Sequence, residues 1–175
     1  MLGANLTLVD DAPLSQVLTT ARAAGALAVI PWGLGKWMGK RGRIVRDLIE
    51  EQSNVNASEK IFLADCGTRP VGAPRSALLA AAEAAGLCVL AGSDPLPVAR
   101  GEARAGAFGF LLDQRDTVDN EGGAGGFEGA QPFAALASAL RARTTSTAAY
   151  GRLEGPFAFL GNQIAMQLRK RRKNG

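Results

Sequence analysis

At 175 residues, 47% hydrophobic and 21% charged, the chain carries enough apolar material for one core and reads as a single globular unit. Its net charge of +4 is local: the five basic residues 169–173 more than account for it, and the remainder sums to −1. That excludes a basic field over the whole surface. Pro31 interrupts the apolar region Ala23–Gly35, and Glu83 enters Ala77–Gly92, so neither gives the ~20 clean residues of a membrane span. The start, MLGANLTLVDD, has two acids and no basic opening, unlike an export signal. Cys66 and Cys88 lie in or just after apolar runs without CxxC spacing and read as buried, reduced thiols, which predicts a cytoplasmic protein.

In chain order, NLTLV at 5–9 offers an edge strand, and Pro13–Ala24 has apolar residues at helical spacing (Leu14, Val17, Leu18, Ala21) before Gly25 closes the helix. Ala26–Pro31 (ALAVIP) is a continuous apolar run of the kind a strand buried on both faces shows. Arg41–Gln52 follows as a helix with Ile44, Val45, Leu48 and Ile49 on its inner face. Lys60–Ala64 is a second buried strand, Arg75–Ala85 a helix ended by Gly86, and Leu87–Ala91 a third strand. A fourth strand is predicted at Ala107–Leu112. The segment QRDTVDNEGGAGGFEGAQ reads as a loop, Pro132 opens a helix to about Arg143, and a last helix spans Phe157–Lys173. In that helix Phe157, Leu160, Ile164 and Leu168 share a face, which predicts docking on the domain with a solvated basic end; insertion into an anionic membrane surface is the alternative. Nucleic-acid binding through LRKRRK is weaker, because no stacking aromatics lie among the basic residues.

Helix, glycine, strand recurs, which argues for an α/β fold with a parallel sheet, doubly wound or part of a barrel. The predicted divisions are a βα portion at 1–113, a glycine-rich acidic loop at 114–131, and C-terminal helices with the basic tail at 132–175. Parallel α/β folds hold ligands at the carboxyl ends of their strands. That rule selects Trp32 with Lys36, Asp65 with Arg69, and Asp94 of AGSDPLP, all expected at the same end of the sheet with the strands parallel, the fourth nearly so. Asp94 serves equally to cap a turn through its own backbone, and Asp65 with Arg69 to form an ion pair across a loop. GLGK is not a phosphate loop, since Lys36 is followed by Trp37.

ARAAGALAVIPWG (21–33) and AAEAAGLCVLAGSDPLP (81–97) resemble two strand motifs of the polymerase-and-histidinol-phosphatase (PHP) family of metal-dependent phosphoesterases, "GGIAVLAHPG" and "GLLVTGGSDFHG". PWGLGKW, FLADCGTRP and YGRLEGPFAFLGNQ are similar to a bacterial lineage related to that family. The resemblance covers about residues 14–113. It implies a partial (βα) barrel of PHP/TIM-like type, with divalent metals at the strand ends and hydrolysis of phosphate esters. It puts Asp94 where the family's GSD aspartate binds metal. Pro31-Trp32 and Leu96 stand where the family has histidines, and the chain has no histidine at all.

Two function classes follow. In the first, a metal-dependent phosphoesterase-like hydrolase uses Asp94 and Asp65 as catalytic residues and ligands of magnesium or manganese, with Lys36, Arg69 and Trp32 holding an anionic, phosphorylated small molecule. In the second, a catalytically inactive or truncated relative keeps the scaffold for binding or assembly. The absence of histidine favours the second, because zinc hydrolases commonly use imidazole ligands, and Ser93 or Cys66 has no histidine to act as base. A closed barrel needs more strands than the four apolar runs supply, so either self-association through residues 5–9 or 26–31 or poor solubility is expected of this chain.

Overall fold

The alternation is realised as three short parallel strands wrapped on both faces by helices. The structure, a computed structural model, describes residues 3, 5–7, 9, 11–33, 35–52, 55–56, 59–112 and 132–173, without the side chains of 99, 100, 170 and 173. The segment predicted as a loop at 114–131 lies outside the described residues. Elements run α1 (Leu14–Ala23), β1 (Val29–Pro31), α2 (Lys40–Glu51), β2 (Phe62–Cys66), α3 (Ala77–Ala84), β3 (Val89–Gly92), α4 (Ala99–Glu102), β4 (Phe108–Leu111), α5 (Pro132–Ala142), β5 (Ala148–Gly151) and α6 (Pro156–Lys173).

The sheet order is β1-β2-β3, both pairs parallel, with Ile30 opposite Leu63 and Ala64 opposite Leu90. Successive side chains along a strand point to opposite faces, and the core divides accordingly. Leu63 and Val89 pack with Val45 and Ile49 of α2 and Leu79 and Ala82 of α3. Their neighbours Phe62, Cys88 and Leu90 point the other way, against Ala137 and Leu140 of α5. A third cluster seats α1 through Leu18 and Ala21 on Ala26, Ala28, Leu48 and Ile61. Coverage of both faces explains why these strands are apolar apart from Asp65 near the carboxyl end of β2. Cys66 and Cys88 are buried and unpaired, as the sequence predicts.

Gly25 and Gly86 end α1 and α3 in left-handed conformation, at φ of 67° and 75°. Each returns the chain directly into the next strand, the Leu87 N–H donating to Ala82 O at 2.9 Å. Space around Gly86 is open, so the cost of a side chain there is conformational alone. Gly86→Ala should lower the unfolding free energy by about 1–2 kcal/mol in urea titration. An unchanged midpoint would show that the turn does not need its left-handed residue.

Three expectations are corrected. β4 does not join the parallel sheet: it lies beside β3 and pairs antiparallel with β5, Phe108 opposite Gly151 and Leu111 opposite Ala148. The sequence reading leaves β5 out altogether. No strand forms at the described residues among 5–9, and Leu6 packs instead on the cluster beneath α1. α6 does not dock through its apolar face: Phe157, Leu160, Ile164 and Leu168 point outward, while Asn162 is buried and Ala158, Phe159, Ala165 and Met166 are half-buried. Among the described residues the strands form a three-strand parallel sheet with alternating βα units and a two-strand antiparallel sheet, and no closed barrel.

Candidate functional site

The carboxyl ends of β1, β2 and β3 bring the predicted residues to one end of the sheet, because Cys66 pairs with Gly92 and the Gly67 N–H donates to Gly92 O at 2.7 Å. Asp65 and Asp94 thus emerge from neighbouring strands. They occupy very different surroundings.

Asp65 is 7% exposed and already committed. The Arg69 guanidinium grips both of its oxygens, Nε donating to Oδ1 at 3.0 Å and Nη2 to Oδ2 at 2.8 Å, while Nη1 donates to Ala73 O at 2.8 Å. Arg75 Nε stands 3.7 Å from the same Oδ2. Arg75 carries the network outward through two hydrogen bonds to Glu83, at 2.6 and 2.7 Å. Ser146 Oγ donates to Glu83 at 2.5 Å and accepts the Val89 N–H at 3.1 Å, tying the approach to β5 onto β3. Hydrogen bonds from Arg75 hold the Glu83 carboxyl below its ordinary range; partial burial opposes them, and Ser146 and the Arg75 charge add to them. The stability Glu83 contributes is therefore present above its unfolded-state pKa and lost as pH falls through the lowered folded value.

Asp94 sits on the turn after β3 at φ 37°, a left-handed conformation that aspartate tolerates better than most residues. Its Oδ2 faces Lys36 Nζ at 3.5 Å and accepts from the Cys66 thiol at 3.5 Å. The Lys36 and Asp94 side chains are 52% and 40% exposed. Lys36 reaches across Gly33, where a Cβ would lie 2.6 Å from Lys36 Cδ, so the glycine makes room for the lysine stem. Burial pushes the Cys66 thiol far up, and the neighbouring Asp94 carboxylate pushes it further. It stays protonated as a donor and is no nucleophile.

Trp32 lies elsewhere than at the rim: it is 8% exposed and its ring belongs to the core cluster with Val45, Ile49 and Leu63. Of the five predicted site residues, Lys36 and Asp94 form one exposed pair, Asp65 and Arg69 one buried pair, and Trp32 belongs to the packing. These residues do not suit the divalent metal that the resemblance implies. A magnesium-like ion requires open oxygen ligands, yet both Asp65 oxygens accept from Arg69 and Asp94 Oδ2 is shared between an ammonium and a thiol. Among the described residues, no group of three His, Cys, Asp or Glu side chains is placed to hold a metal.

Sequence reasoning missed Glu154. It is 1% exposed, its backbone bridges to the loop after β2 (Val71 N–H to Glu154 O at 2.7 Å), and its Oε1 accepts from the buried Asn162 of α6 at 2.7 Å. Its Oε2 has no hydrogen-bond partner among the described residues. The only sequence signal is an acid between Leu153 and Gly155, with an amide two helical turns on. The strand-end residues also lie apart from two clefts of about 340 and 460 Å³, one between α1 and α2 and one beside α5. Compared with known proteins, the chain matches no family model, no curated protein and no solved structure.

Proposed function

We propose that this chain is a non-catalytic binding module on a PHP-like half-barrel scaffold, which takes an anionic, phosphorylated small molecule at Lys36 rather than hydrolysing one. The observation that carries this reading is the unequal commitment of the strand-end charges. Arg69 is 12% exposed and spends its donors on Asp65 and Ala73, so it is not available to an anion. Lys36 is half exposed and holds Asp94 by a single long contact, which an incoming phosphate can replace. Asp94 then keeps the Cys66 thiol as its donor. With one half-exposed ammonium to offer, the site suits a headgroup-sized anion. Against the hydrolase alternative stand the absence of imidazole and the closure of Asp65 by arginine.

Thermal melts with inorganic phosphate test this directly. At about ten times the dissociation constant, binding adds about 1.4 kcal/mol, or about 3–5 °C of Tm for a chain of this size. That gain should vanish in Lys36→Ala, and magnesium or manganese alone should leave the melt unchanged. A metal-dependent rise lost in Asp94→Asn, accompanied by turnover of a phosphate monoester, would establish the hydrolase instead.

A further inference from the structure

The outward face of α6 is an apolar stripe without cover among the described residues. Phe157 is 92% exposed, Leu160 58%, Ile164 54% and Leu168 56%. With 1.5 Å rise per residue, the stripe and the basic turn after it extend about 22 Å along the helix. At about 100° per residue, Arg171 continues the stripe and Arg172 flanks it; both are exposed. The helix contains no aspartate or glutamate, and residues 169–173 hold five basic side chains while the rest of the chain is net −1. The opposite face is fixed to the domain by Asn162 on Glu154 and by Arg169, whose guanidinium donates to Pro97 O. The stripe is therefore presented by a helix anchored on its other side.

We propose that α6 is a membrane-surface docking helix that seats Phe157, Leu160, Ile164 and Leu168 at the acyl boundary of an anionic bilayer, with Arg171 and Arg172 on its lipid phosphates. Two features select this occupant. An apolar face flanked by arginines matches the layered chemistry of an anionic leaflet, apolar within and negative at the headgroups. A second copy of the chain answers only the first half: parallel pairing brings the two basic ends together, and antiparallel pairing leaves the guanidiniums without an anion. No described helix is long and apolar enough to cross a membrane, so the helix lies on the surface. This inference is independent of the Lys36 site.

Flotation of the full chain in physiological salt, with phosphatidylcholine vesicles and with vesicles that also contain phosphatidylglycerol, tests it. The chain should float with the anionic vesicles and not with the neutral ones. Arg171→Ala with Arg172→Ala should weaken the partition about 30-fold, from about 1 kcal/mol per basic residue near the surface. Leu160→Ser with Ile164→Ser should weaken it at least about tenfold. Both pairs are exposed, and unchanged thermal melts of the variants would verify their fold. Absence of flotation overturns the proposal, as does flotation indifferent to the Leu160 and Ile164 changes, which would mean adsorption by charge alone. Dimerisation abolished by those same changes, or retention of a nucleic-acid duplex without flotation, would assign the face to a second copy or to nucleic acid and would likewise overturn it.

Discussion

Replacing Asp65 with alanine should lower the unfolding free energy by about 3–5 kcal/mol, because it strands a guanidinium inside the protein. The Asp65 and Arg69 side chains are 10% and 12% exposed, and among the described residues the Ala73 carbonyl is the acceptor left to Arg69. Arg75 loses the same carboxylate and falls back on Glu83. Substituting both members of the pair, Asp65→Leu with Arg69→Met, should recover most of the loss, since a buried ion pair is often no better than apolar packing of similar volume. Asp94→Ala provides the contrast: its partner Lys36 is half exposed, so the change should cost about 1 kcal/mol or less. Urea titrations of the four proteins decide the matter. If Asp65→Ala unfolds at the wild-type midpoint, Asp65 is not structural and stands free for a ligand after all.

Phe62→Ala should cost about 3–5 kcal/mol, the usual range for emptying a buried phenylalanine site. Phe62 is 2% exposed and fills the space among Leu27, Cys88, Leu90, Ala137 and Leu140. Those residues come from the sheet on one side and α5 on the other, so the cavity opens between them. Amide exchange in α5 should accelerate more than exchange in α3, which packs on the opposite face against Leu63. Equal protection loss in the two helices would contradict the layered arrangement.

The parts of the fold legible in the sequence are those where burial imposes a pattern. β2 is buried at all five positions and apolar at all but Asp65; glycines mark the ends of α1 and α3. β5 left no such mark, since all four of its residues are exposed and only backbone bonding to β4 makes it a strand. In α6 the apolar periodicity is real but points outward. Periodicity reveals a face, not its direction, and here the inward side combines Ala158, Phe159, Ala165 and Met166 with Asn162, whose polarity Glu154 satisfies. The strand-end rule gathered Asp65 and Asp94 correctly because parallel topology dictates it. Which of the two is neutralised depends on the reach of Arg69 and Arg75, and this only the packed loop determines. The ion-pair reading of Asp65 with Arg69 was available from their spacing; the burial of Trp32 was not.

The two faces of the sheet are also separated in time. β1, β2, β3 and the helices on the Leu63 face are complete by Gly92, so that half can assemble from neighbouring segments as they leave the ribosome. The opposite face, with Phe62, Cys88 and Leu90, waits for α5, about forty residues later. At about 5–20 residues per second, a nascent chain would display that apolar surface for about two to eight seconds. Those seconds are when a chaperone has its best target and when encounters between nascent chains are most dangerous.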